Sequence, residues 1–143
     1  MVDIEKRKQA LELLREYRCG EITNMQFSDK FLSLASSPDP ALKAINQLLW
    51  FTYDDVREYR LTGERIPSSE INELFDRCEL FLESGLEYRG SKRFISINPF
   101  VWIINGVLSL ARLAHIVPDT RAADSYLPFQ NIEELARYRG ERS

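Results

Sequence analysis

Few residues in this chain are of a type that does chemistry, and their spacing narrows the options further. There is one histidine, His115, and the two cysteines, Cys19 and Cys78, stand 59 positions apart. Neither a Cys/His zinc pattern nor a Glu-x-x-His di-iron pattern can be written from that set. His115 falls near the end of an apolar helical stretch, where the helix dipole favours an imidazolium; that is a structural role. A nucleophile needs a base beside it and a third group to orient the base. Only His115 or a lysine could serve, and nothing local positions a partner for either. The six glycines are scattered, four of them at helix ends or turns, so no phosphate-cradling loop can be drawn. Carboxylates are the remaining route to an enzyme. Glu70, Glu73, Asp76 and Glu79 recur at every third position of one expected helix, and Asp54, Asp55 and Glu58 lie on the helix before it.

Those two sets of acids resemble the magnesium cage of all-α nucleotide pyrophosphohydrolases, which hold the ion between facing helices. The helical wheel argues for a plainer role. Glu70, Glu73 and Asp76 drift around the side facing away from the apolar stripe, as solvated acids do on any amphipathic helix. We therefore expect no metal and no cofactor, and keep a magnesium-dependent hydrolase as the alternative.

The helix expected to begin at Pro40 carries an oddity. Gln47, Trp50, Phe51, Asp54 and Glu58 lie opposite its inner face of Leu42, Ile45, Leu49 and Val56. Two large aromatics thus sit among acids on what should be the wet side. One explanation is a second neighbouring helix that covers them. The other is a partner-binding face made of Trp50, Phe51, Asp54, Asp55 and Glu58. Aromatic anchors would supply its affinity, and the acids would steer a basic partner. The charge distribution agrees: ten acids and five bases lie between Trp50 and Gly90, a local −5 within a chain of net −3. A second polar group, Asn105, Ser109 and Arg112, forms a narrow wedge on an otherwise apolar helix, and we expect Arg112 there to be paired.

The elements that must position these residues read as all-α. A first helix is expected at about Ile4–Arg18 with Asp3 as cap. A second at about Asn24–Ala35 has a capping box of Thr23 and Gln26, with Ile22 and Phe27 stapled. The third runs from Pro40, capped by Asp39, to about Leu61. The fourth, about Ser69–Glu83, buries Ile71, Leu74, Phe75, Cys78, Phe81 and Leu82 at i, i+3, i+4, i+7 spacing and ends at Gly85. Residues 86–97 read as a short hairpin or an ordered loop. Asn98–Val117 is capped by Asn98-Pro99 and charge-free from Phe100 to Ala111. It is expected as the central, buried helix. Asp119–Pro128 reads as a loop. A last helix at Ile132–Tyr138 is capped by Asn131 with Glu134, and Gly140 and the polar end beyond it are expected to fray. The expectation is one compact domain over 1–143, a bundle of five or six helices.

Composition limits the remaining classes. A net charge of −3 gives no reason to expect nucleic acid or an anionic membrane surface as partner. The N-terminus MVDIEKRKQA has no apolar signal-peptide core, and Pro99–Ala111 is shorter than the roughly 20 residues a membrane helix needs. We expect a cytoplasmic protein with two buried, reduced thiols, a single disulfide between Cys19 and Cys78 being the alternative.

Two stretches, LLWFTYDDVREYRLTG (Leu48–Gly63) and RCELFLESGLEYRG (Arg77–Gly90), resemble small, largely helical bacterial proteins of uncharacterised families. Some of these look like the immunity partners of secreted toxins. The resemblance implies a compact acidic protein that works by binding another protein with a basic surface, without an enzymatic step. A self-associating structural subunit, hence a homo-oligomer, is a further alternative.

Overall fold

The computed structural model describes residues 1–50, 52, 56–90 and 126–141. These contain five α-helices and one short 3-10 turn, with no strand among the described residues. The expected central helix at 98–117 lies outside the described residues, with its wedge of Asn105, Ser109 and Arg112 and with His115. So does most of the 86–97 stretch, of which 86–90 form neither helix nor strand.

Helix α1 is Ile4–Arg18, and Asp3 caps it by accepting from the Lys6 N–H. Helix α2 is Asn24–Ala35, and both halves of the Thr23/Gln26 capping box are formed. Helix α3 is Pro40–Trp50. Its first free N–H, from Ala41, donates to Asp39 Oδ1. Helix α4 is Ser69–Ser84, capped by Ser68 and stopped by Gly85 at φ 65°, a left-handed position that glycine takes without strain. Helix α5 is Ile132–Glu141. Asn131 caps it by accepting from the Glu134 N–H, but Glu134 reaches back to the Gln130 N–H, one residue further than a capping box requires. The helix also runs through Gly140, past the expected end.

Among the described residues α1 is in the middle, packing on α2 at one side and α4 at the other, while α3 adds to α2 and α5 to α4. The core follows the apolar stripes of these helices. Leu14, Tyr17, Phe27, Phe31, Leu42, Ile45, Phe75 and Phe81 are all at most 2% exposed. Burying each such side chain contributes about 1.5–3 kcal/mol. Rings join the layers: Tyr17 stacks on Phe27 with centroids 4.6 Å apart and meets Phe75 edge-on. Phe129, just ahead of α5, meets Phe81 edge-on at 5.2 Å. The buried Arg77 Nε donates to the Leu127 carbonyl, which fixes that approach to α4.

Three expectations are corrected. Helix α3 stops at Trp50 and does not reach Leu61, for reasons given below. Val56, placed on its inner face by periodicity, is 84% exposed. Cys19 is exposed and only Cys78 is buried; both are free thiols. Cys19 follows the last residue of α1, where the chain leaves the packed face and its Sγ turns back to the Arg15 carbonyl. Burial pushes the Cys78 thiol up to about 12, so it stays a neutral core residue.

Candidate functional site

Three polar clusters organise the described residues. The first is buried. Arg7 grips Asp39 with two bonds, Nε to Oδ2 at 2.6 Å and Nη2 to Oδ1 at 3.1 Å, and its Nη1 donates to the Leu86 carbonyl at 2.7 Å. Both side chains are at most 1% exposed, and the guanidinium lies 5.4 Å from the Phe81 ring centre. Asp39 also accepts from the Asp3 and Ala41 N–H groups. Burial pushes its carboxyl pKa up. The bonds from Arg7 and the two backbone donors outweigh that and hold it below the ordinary carboxylate value. Every lone-pair direction is used, so this pair is a joint between α1, α3 and the chain leaving α4.

The second cluster is the seam between α1 and α4. Arg18 Nη1 meets Asp76 at 2.7 Å and Glu79 at 2.8 Å, while Arg15 meets Glu79 and Glu83. Rising numbers on α1 pair with falling numbers on α4, so the helices run antiparallel. Acids spaced at three and four positions share a face, which matches the i, i+3 spacing of the two arginines. Burial opposes the Arg18 charge, but Glu79 and Asp76 together raise its pKa. Glu79, which shares the i+3 series of acids with Glu70, Glu73 and Asp76, is buried in this seam rather than solvated. On the far side Glu73 pairs with Arg77 and Arg139. Four acids of the acidic middle, Glu73, Asp76, Glu79 and Glu83, are therefore paired with arginines of this chain. Among the described residues no three His, Cys, Asp or Glu side chains stand together in a metal-holding group.

The third cluster holds the connection between α3 and α4. Thr52 closes α3, its N–H and hydroxyl both donating to the Leu49 carbonyl. The chain beyond is then captured by Asn24 at the start of α2. The Asn24 side chain donates to the Arg57 carbonyl and accepts from the Tyr59 N–H, and its own N–H donates to the Tyr59 carbonyl. Arg60 donates to the carbonyls of Gly20 and Glu21, and Thr23 donates its hydroxyl to Glu58 at 2.6 Å. Gly20, at φ 77°, lies so close that a Cβ there would come within 2.6 Å of the Thr62 methyl. Helical continuation from Trp50 would forfeit these bonds, which is why the periodic pattern fails here. The connection then makes a 3-10 turn at Gly63–Arg65 and leaves Val56 and Ile66 in solvent, the latter 68% exposed. Between it and the start of α4 opens a cleft of about 170 Å³, floored by Phe75. A larger cleft of about 250 Å³ lies between residues 87–90 and 126–130.

Of the five residues expected to form a binding face, two are described. Trp50 is half-buried at the last position of α3, and Glu58 is exposed on the connection. Phe51, Asp54 and Asp55 lie outside the described residues. Of the acids weighed for a magnesium cage, Glu70, Glu73 and Asp76 are exposed and Glu79 is committed to Arg15 and Arg18. Sequence reasoning missed the Arg7–Asp39 pair and the role of Asn24, because each joins positions more than 30 residues apart. The signal that was available is a pair of polar residues, Arg7 and Asn24, at positions otherwise given to the core.

No family model matches the chain, and neither a curated protein nor a solved structure matches it at a significant level.

Proposed function

We propose that this chain acts by binding another protein, as an immunity-type protein that covers a basic surface of a toxin. The observation that supports the reading is the α3–α4 connection. It starts at a half-buried tryptophan, keeps Glu58 and Val56 in solvent, and is fastened through Asn24 as well as through the packing of Leu61 on the core. Exposed acid and apolar groups beside a half-buried tryptophan have the composition of a docking surface, with an aromatic anchor and charge around it. Asp54, Asp55 and Glu58 would steer the partner, and Trp50 and Phe51 would supply most of the affinity. The seam acids contribute less to steering, since their charge is met by Arg15 and Arg18.

The test is co-purification from the source cell with tagged wild type and a Trp50→Ala, Asp54→Ala variant. Wild type should retain a basic protein that the variant releases while still folded by circular dichroism. Equal retention by both would reject this face.

A further inference from the structure

The connection and the first turns of α4 enclose the cleft of about 170 Å³, whose lining includes Tyr59, Leu61, Ile66, Ile71 and Phe75. Phe75 is only 1% exposed, so the floor is closed, while Ile66 at the rim is 68% exposed. The cleft is open to solvent on one side, and its volume is of the order of the roughly 150 Å³ that accommodates one benzene ring. Arg65 stands at the same rim with its guanidinium 4.8 Å from the Tyr59 ring centre. It is exposed and has no carboxylate partner among the described residues, although Glu64 and Glu70 flank it in sequence. The arginines of the two polar joints differ, because Arg7, Arg15 and Arg18 each grip an acid of this chain.

We infer that this cleft takes an aromatic side chain of the protein partner, with a carboxylate next to that ring meeting Arg65. The protein nature of the occupant rests on the reading above; the ring and the carboxylate rest on the cleft itself. Ring burial covers Ile66 and Tyr59, and the guanidinium, already over the Tyr59 ring, keeps N–H groups to donate to an anion. This contact adjoins the Trp50 end of the connection through Thr52 and is of opposite sign, so it gives the complex a second, orienting point.

The test is a backbone-amide NMR titration of the full chain through the millimolar range, with N-acetylphenylalanine and, separately, its neutral amide. Both should shift Tyr59, Arg65 and Ile71 saturably, the acid binding about two- to fivefold tighter, as an exposed ion pair allows. Arg65→Gln should abolish that preference without weakening the amide, and Ile66→Ser should weaken both ligands. Absence of saturable shifts at these residues, equal affinity of the two ligands, or a preference that survives Arg65→Gln would overturn the inference. A silent cleft beside a partner that Trp50→Ala, Asp54→Ala releases would sink this inference alone. A responsive cleft beside equal retention would instead sink the Trp50 face and leave the cleft standing.

Discussion

The two ends of α1 solve the same problem in opposite ways. At the start, Arg7 is sealed against Asp39, whose four acceptor directions are all filled. At the end, Arg15 and Arg18 spread over Asp76, Glu79 and Glu83 in a seam that water reaches, with Arg15 47% and Asp76 59% exposed. A sealed pair is unforgiving, because removing one member strands a buried charge. An open seam is forgiving, because water replaces the missing partner. The N-terminal joint therefore fixes how α1, α3 and the chain after α4 meet, whereas the C-terminal seam adjusts the α1–α4 contact by small increments.

Removing one half of the sealed pair should produce the largest effect. Asp39→Ala is expected to destabilise the fold by about 3–5 kcal/mol in urea denaturation, by leaving Arg7 buried and unpaired. A loss below that of the seam variants would erase the contrast between the two ends. The same joint sets an acid limit. Because the folded-state pKa of Asp39 is depressed, its contribution is complete above its ordinary value of 3.8 and is lost as pH falls through the folded value. Melting temperature followed from neutral pH into strong acid should drop in that window, and Asp39→Asn should flatten the part of the drop due to this group. Within the seam, Glu79 is the most enclosed member and bonds both arginines, so Glu79→Gln should cost about 1.5–3 kcal/mol. The smallest change is expected for Asp76→Ala, below about 1 kcal/mol and shrinking further with added salt. A salt-insensitive loss at Asp76 would mean that the seam is not open in the sense argued.

Local instructions were legible and distant ones were not. The Thr23/Gln26 box, the Asp39 cap, the stripe from Ile71 to Leu82 and the Gly85 stop are each written within a few residues, and the described helices obey them. The length of α3 was not legible, because Asn24 and the carbonyls at Gly20 and Glu21 compete for residues 57–60 from more than 30 positions away. Asp39 shows both sides at once. Its capping role follows from the proline after it, but its pairing with Arg7 needs the helices already packed. For the candidate binding face, the sequence shows the residue types; of the five, the described residues place only Trp50 and Glu58.

The central claim is that the connection after α3 binds a partner while the seam acids only support the fold. Retention of a basic partner from the source cell, measured side by side with melting temperature, separates the two. Trp50→Ala with Asp54→Ala should lose the partner while remaining folded, and Asp76→Ala with Glu83→Ala should keep the partner although it melts earlier than wild type. Retention by the first variant with release by the second would contradict the account.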